Sequence, residues 1–312
     1  PSAKKIETFA KGRVEIVKYK LPETSNLCNM QIKEIMGRLK IDMLITAVER
    51  GEDVIIPNGE FVLMPGDIIS VATVSKKANR MLKKAGLSNS RISNAIIVGG
   101  GGISYYLTKM LLTMGIRTTI IEKNYDKCEA LSSEFDGAMI IHGDAISEGV
   151  LYEEGVKDAD SFIALTNIDE TNILLSLFAK KNSNAKLITK VHTLSYDDVV
   201  ESMDLDTIIC PKNIVSDNII SYARALENSK GSNVETLYNI IEGKAEALEF
   251  IIKKDSAVTG KSLMELRLKE GIIIACITHG RHIEIPNGRS VIREGDSVVV
   301  VTTRKGLNDI SD

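Results

Sequence analysis

The stretch Ala95-Ile96-Ile97-Val98-Gly99-Gly100-Gly101-Gly102-Ile103-Ser104 constrains this chain more than any other. Four apolar residues run into a glycine cluster, and an amphipathic segment begins at once. A buried strand, a tight turn and a helix N-terminus read this way. Such a turn gathers unpaired backbone N–H groups and the positive end of a helix dipole at one spot, which suits a phosphate. The spacing Gly99-x-Gly101-x-x-Ser104 departs from the dinucleotide fingerprint G-x-G-x-x-G only at the third glycine. That glycine serves close helix–strand packing, and a small serine can take its place. Ile103, Tyr106, Leu107, Met110, Leu111 and Met114 then fall on one helical face, read as the packed one, and Gly115 stops the helix. A second strand, Thr118 to Ile121, ends in Glu122, 23 residues beyond Gly99. An acid there accepts hydrogen bonds from adenosine ribose hydroxyls and disfavours a 2′-phosphate. A plain strand–turn–helix with a solvated Glu122 is the alternative, but the ordered succession of strand, glycines, helix and acid favours a bound nucleotide.

From Asn94 to Glu227 the pattern alternates strands and helices. A helix around Cys128 to Phe135 precedes a strand from Ala138 to Ile141 and the loop His142-Gly143-Asp144-Ala145. A helix with Leu151 leads to a strand from Ser161 to Leu165. Thr166 to Asn172 then opens a helix carrying Ile173, Leu174, Leu177 and Phe178. Strands follow at Leu187 to Val191 and Thr207 to Cys210, and a last helix spans Ile214 to Leu226. Strands separated by helices pair in parallel through right-handed crossovers, so this is an α/β domain with a six-stranded, doubly wound, Rossmann-like sheet. Ligands of such sheets sit beyond the carboxyl edge of the strands.

Several loops converge on that edge. Asp144 can meet the adenine or ribose, or can simply order a turn. Thr166 and Asn167 follow the fourth strand, with Asn172 a helical turn later. Asn167 and Asp169 also read as helix caps, and capping is the favoured role for Asp169. Lys190 can neutralise phosphate charge or stand solvated at its strand.

Two copies of one small α+β module flank this domain. Gly243-Lys244-Ala245-Glu246 matches Gly12-Arg13-Val14-Glu15, and Glu265-Leu266 matches Glu34-Ile35. Ile283-Glu284-Ile285-Pro286-Asn287-Gly288 matches Val54-Ile55-Ile56-Pro57-Asn58-Gly59, and Glu294-Gly295-Asp296 matches Pro65-Gly66-Asp67. The offset is 231 residues early and 229 later, one two-residue indel. In the first copy strands are expected at Arg13 to Tyr19, Met43 to Glu49, Asp53 to Ile56 and Ile68 to Thr73. A short helix carries Met30, Ile35 and Leu39, and a lysine-rich one closes the copy near Ser75 to Ala85. The boundaries read 1–88, 89–228 and 229–312.

The rest of the chain excludes more than it adds. With 312 residues, 44% hydrophobic and 26% charged, it has the makeup of a folded protein of two or three domains. A net charge of −3, 4% aromatics and no tryptophan give no reason to expect nucleic acid. Cys28, Cys128, Cys210 and Cys276 stand far apart, as buried free thiols of a reducing compartment do. No apolar run approaches the roughly 18–20 residues of a membrane span, so a soluble, cytosolic protein is expected. A dehydrogenase needs an acid–base beside the nicotinamide. His142, His192, His279 and His282 offer no triad-like or metal-ligand spacing, so binding without turnover is the better reading.

These features resemble the RCK (KTN) family of potassium-transport regulators. The likeness rests on the glycine turn, Ile121-Glu122, Gly143-Asp144-Ala145, Thr166 through Asn172, and the Pro-Asn-Gly and Gly-Asp turns of both outer copies, which are similar to C-type (TrkA-C) domains. It covers nearly the whole chain. Chains of this kind run N-type, C-type, N-type, C-type, whereas this one begins at a C-type module and is expected to be either a fragment or a chain without the first Rossmann domain. The resemblance implies NAD(H) or ATP/ADP on Gly99, Gly100, Gly101, Gly102, Ile103 and Ser104, with Glu122, Lys123, Gly143, Asp144, Ala145, Thr166, Asn167 and Lys190 completing the site. No catalytic residue and no metal ligand is assigned, and the C-type modules either bind a second effector or only build interfaces. The resemblance also implies a homo-oligomeric ring, paired through Rossmann edges and the helix near Ile214 to Leu226, on the inner face of the membrane. There the ring would gate a Trk-type potassium channel membrane subunit. An NAD-linked oxidoreductase and a nucleotide sensor of another cation transporter are the competing readings.

Overall fold

The computed structural model describes residues 3–10, 12–39, 43–74, 92–193, 203, 205–228, 234–241, 244–254, 256–266, 268–305, 307, 309 and 310. The chain forms two compact units, one over Ser90–Val215 and one gathering both outer copies.

The first copy contains β1 (Ala3–Phe9), β2 (Val14–Lys20), α1 (Ile32–Leu39), β3 (Met43–Arg50), β4 (Asp53–Ile55) and β5 (Ile68–Val74), with sheet order β1-β2-β5-β3-β4. Every pairing in it is antiparallel. Val17, Tyr19, Ile45 and Val71 bury one face of this sheet beneath Leu27, Ile32 and Ile35. Side chains of that size contribute about 1.5–3 kcal/mol each on burial. The lysine-rich helix expected near Ser75 to Ala85 lies outside the described residues.

The central domain follows as β6 (Asn94–Val98), α2 (Gly102–Thr113), β7 (Arg117–Glu122), α3 (Tyr125–Glu134), β8 (Ala138–His142), α4 (Glu148–Glu153), β9 (Ser161–Ala164), α5 (Asp169–Asn182), β10 (Lys186–Lys190), β11 (Thr207–Ile209) and α6 (Pro211–Asn228). Its six strands are all parallel, in the order β11-β10-β9-β6-β7-β8. This is the expected doubly wound sheet. Successive strand residues serve opposite layers: Ile96, Val98 and Phe162 pack toward Leu151, Leu175 and Ala179, while Ala95, Ile97 and Ile163 pack toward Leu131 and Phe135. Burial on both faces is why these strands read as continuous apolar runs.

The packed face of α2 is not the expected one. Tyr106 is 69% exposed, Met110 and Met114 are 63% exposed, and Ile103 also faces out. Ser104 and Thr108 are buried instead, with Tyr105, Leu107, Leu111 and Leu112 beside them. Small side chains bring the helix close to the sheet, and the Ser104 hydroxyl donates to the Gly99 carbonyl. Of the six residues placed on one face, Leu107 and Leu111 do pack against the sheet, whereas Ile103, Tyr106, Met110 and Met114 face out.

The second copy comprises β12 (Val234–Ile241), β13 (Ala245–Ile251), β14 (Ile272–His279), β15 (His282–Glu284) and β16 (Ser297–Thr302), in the order β12-β13-β16-β14-β15. The topology of the first copy is repeated down to its irregularities. The bulge between Ile45 and Ala47 recurs between Ile274 and Cys276. The edge strands β1 and β12 were not anticipated from sequence. Ala47, Ala72, Val14 and Ile16 of one copy meet Ala245, Ala247, Cys276, Val299 and Val301 of the other in a shared core. Polar contacts flank it in near-symmetry: Arg13 reaches the Arg281 carbonyl at 3.4 Å, and the matching Lys244 reaches the Glu52 carbonyl at 2.7 Å.

Candidate nucleotide site

The crevice lies where the loops after β6 and β9 diverge to opposite sides of the sheet, the switch point at which doubly wound sheets bind ligands. Its volume is about 290 Å3, near the low end of the roughly 300–1,000 Å3 typical of ligand sites. Its walls bring together Gly99, Gly100, Gly101, Glu122, Lys123, Gly143, Asp144, Ala145, Thr166 and Asn167 of the expected residues. Gly102, Ile103, Ser104 and Lys190 are not in its lining.

The glycines are needed for separate reasons. Gly99 has φ +99°, and a Cβ there would stand 3.0 Å from the Leu165 carbonyl and the Thr166 nitrogen. At Gly100 a Cβ would fall 2.8 Å from Leu131 Cδ1 and 3.2 Å from the Glu122 carboxylate. Gly101 is the N-cap of α2, with φ −82° and ψ −178° and open space where a side chain would go. It makes no side-chain capping bond, so the first N–H groups of α2 lack the usual side-chain acceptor and suit an anion.

Glu122 sits opposite, buried at the end of β7. One carboxylate oxygen accepts the Gly100 N–H at 2.6 Å and the other the Asn124 N–H at 2.8 Å. Each oxygen keeps lone-pair capacity for a hydroxyl, so the pair fits a ribose diol. Asp144 accepts the Ile146 N–H at 3.0 Å, so it orders its own turn while lining the crevice.

The opposite wall is held by a residue from α5. Asn172, wholly buried, accepts from the Thr166 N–H (2.9 Å) and hydroxyl (2.7 Å). Its amide donates to the Thr166 carbonyl (3.0 Å) and the Lys190 carbonyl (2.9 Å). Asp169 does not cap α5, whose N-cap is Ile168. Its carboxylate instead takes the His192 N–H (2.9 Å), the His192 ring at Nδ1 (2.8 Å) and the Thr193 N–H (3.2 Å). Burial opposes its ionisation, but these His192 and Thr193 contacts hold the carboxyl below the usual range. Lys190 is 5% exposed, with its ammonium 3.5 Å from the Asn167 side-chain oxygen. Burial lowers its pKa, and the Asp169 charge works the other way.

Lys127, Ile146, Ile168 and Thr171 also line the crevice and were missed by sequence reasoning. Lys127 lies in the first turn of α3, five residues after Glu122. That spacing was the available signal. Among the described residues no cluster of His, Cys, Asp and Glu could hold a metal ion, and no helix is long and apolar enough to cross a membrane.

Comparison with known proteins agrees with this architecture. Residues 95–211 match the TrkA-N domain, and residues 16–86 and 247–312 each match the TrkA-C domain. The chain is 26% identical over 311 residues to Trk system potassium uptake protein TrkA homolog 2 of Methanosarcina mazei, covering 99% of this chain and 68% of that one. It is 29% identical over 300 residues to the TrkA homolog of Archaeoglobus fulgidus, covering 96% and 66%. It therefore spans about two thirds of the length of these relatives. The GsuK channel bound to NAD shares the fold, with TM-score 0.53 and 17% identity over 97% of this chain and 54% of that one. Two TrkA-C domains around a TrkA-N domain place this chain in the TrkA (RCK) family.

Proposed function

We propose that the chain is a nucleotide-reading regulatory subunit of a Trk-type potassium uptake system, in which an adenine nucleotide is bound and sensed without being consumed. The observation that carries this is the uncapped N-terminus of α2 facing the Glu122 carboxylate across Gly100 and Gly101. Glu122 takes the adenosine ribose over β7, and the α2 N–H groups take the phosphates. A second nucleoside half then extends over β9, against Thr166 and Asn167. NAD(H) is favoured over ATP/ADP because Thr166 and Asn167 line the crevice on the β9 side, where a second nucleoside half would lie. Lys123 and Lys127 add positive charge on the adenosine side.

The potassium system enters through the relatives, which are named for potassium uptake over nearly the whole of this chain. The three modules, 1–88, 89–228 and 229–312, act together at the inner face of the membrane as part of a homo-oligomeric ring. Bound nucleotide biases a membrane subunit by fitting one ring shape better than another.

Calorimetry on the full chain with NADH, NAD, ATP and ADP, beside Gly101→Asp, tests the reading. The extended backbone and open space at Gly101 let the variant fold, with its carboxylate where phosphates would sit. Micromolar binding of at least one nucleotide is expected, lost in the variant. Failure of all four, or unchanged binding in the variant, overturns it.

A further inference from the structure

Lys190 ends β10 with its side chain buried, and the contacts proposed for ribose and phosphates give it no task. Its ammonium carries three donors and no acceptor site. Among the described residues its hydrogen-bond partner is the side-chain oxygen of Asn167, 3.5 Å away and at the long end of the range. The Asp169 charge also acts on it, but that carboxylate is already engaged by the His192 N–H, the His192 ring and the Thr193 N–H.

Asn167 is exposed and lines the crevice, whereas Lys190 is buried and outside the lining. A side-chain amide is a dipole that turns in the local field. Beside a buried ammonium its oxygen, the negative end, turns inward, and the NH2 group is left on the exposed side. That NH2 group has no acceptor among the described residues. The neighbouring Thr166 is not free in this way, because its N–H (2.9 Å) and its hydroxyl (2.7 Å) both go to Asn172. On the β9 side, the Asn167 amide therefore faces the crevice as a donor, with its acceptor end turned to Lys190.

We propose that Lys190 sets the direction of the Asn167 amide, so that the β9 side of the crevice donates to the base of the second nucleoside half and selects one bearing a carbonyl or carboxylate substituent, as nicotinamide does. The inference rests on the nucleotide-reading function proposed above and names what the second half must carry. Asn167 touches the ligand, and Lys190 is a positioning residue that acts through it. One neutral hydrogen bond of this kind strengthens binding by up to about tenfold.

The test is calorimetry of the full chain with NADH and with ADP-ribose, which lacks the base, and the readout is the ratio of their affinities. The parent should favour NADH by about tenfold, and Asn167→Ala should bring the ratio close to one. Lys190→Met frees the amide to turn and should lower the ratio about threefold. In the Asn167→Ala background Lys190→Met should leave the ratio where it stands, which a merely structural role for the lysine would not produce. Nicotinic acid adenine dinucleotide, whose carboxylate can only accept, should bind the parent at least as tightly as NAD. Circular dichroism matching the parent establishes that each variant is folded. If ADP and ADP-ribose bind but NADH gains nothing over ADP-ribose, the inference alone is overturned. The same holds if Lys190→Met lowers the ratio equally with and without Asn167, or if the nicotinic acid analogue is rejected. Failure of every nucleotide, ADP included, overturns the inference together with the function on which it rests.

Discussion

Asn172→Leu tests whether the far wall of the crevice depends on one buried amide. Leucine keeps the branching and heavy-atom count of asparagine, with bulkier ends, and removes all four hydrogen bonds to Thr166 and Lys190. The Lys190 carbonyl contact is buried, whereas water from the crevice can replace part of what Thr166 loses. An orphaned buried polar group costs about 1–3 kcal/mol, so one full and one partial loss amount to about 2–4 kcal/mol. Local opening of the wall should then become about 30- to 700-fold more frequent. Amide hydrogen exchange of the full chain, followed by mass spectrometry on peptides covering Thr166 to Ile168 and the end of β10, reads that ratio directly. Strand β6, to which none of these four hydrogen bonds runs, is the internal reference. Unchanged protection of the Thr166 peptide would show that the wall is held by β9 packing, and the role given to Asn172 would be wrong.

Gly100→Ala should destabilise the central domain by about 1–3 kcal/mol in urea unfolding, because its Cβ would meet Leu131 Cδ1 at 2.8 Å, and Leu131→Ala should relieve that clash. Asp160 accepts the Ser93 hydroxyl (2.6 Å) and the Ser93 and Asn94 N–H groups (2.7 and 3.2 Å), and these bonds, led by the Ser93 hydroxyl, lower its pKa. A depressed carboxyl stabilises the fold above its unfolded pKa of about 3.9 and loses that contribution as pH falls through the folded value. The unfolding midpoint should therefore fall less steeply below about pH 4 in Asp160→Asn than in the parent. Arg50→Met should cost about 1–3 kcal/mol, since it strips both 2.8 Å guanidinium bonds from the buried Asp67 while the half-exposed arginine side lets water replace part of them, and adding Asp67→Asn should recover part of the loss in the same denaturation assay.

The sequence was most legible where backbone geometry dictates residue type. Gly99 and Gly100 stand where a Cβ has no room, so the turn declared itself, and the acid at the end of β7 followed from strand spacing. Periodicity served less well on α2, because Ser104 and Thr108 pack inward while Tyr106 and Met110 face out. An amphipathic pattern identifies a packed face only when the larger residues are the buried ones. Side-chain roles at the crevice were the least legible. Asp169 has the composition of a cap, yet its oxygens serve the chain leaving β10, a partner more than twenty residues away. Asn172, noted in the sequence only as lying a helical turn after Asn167, spends its amide holding Thr166 and Lys190. Edge strands β1 and β12 escaped notice because an edge carries charge and lacks the apolar run of a central strand.

The two outer copies carry this argument further, because they solve one problem in two ways. Both keep an aspartate at the Gly-Asp turn, where it accepts a turn N–H: Asp67 from Met64 at 2.8 Å, Asp296 from Arg293 at 2.6 Å. In the first copy Arg50 satisfies that carboxylate with its two-pronged guanidinium and lies 4.8 Å from the centre of the Phe61 ring. In the second, His279 stands at the matching position and reaches Asp296 with Nδ1 alone, at 2.8 Å. Its other nitrogen lies 3.2 Å from Glu284, where the first copy has Ile55. Ser290, in place of Phe61, donates to the second oxygen of Glu284. An imidazole cannot fork as a guanidinium does, so the exchange of arginine for histidine was workable only with a second acid for the ring and a hydroxyl for that acid. The three positions therefore form one coupled unit, and exchanging any one of them alone would leave a buried carboxylate or ring nitrogen without its partner.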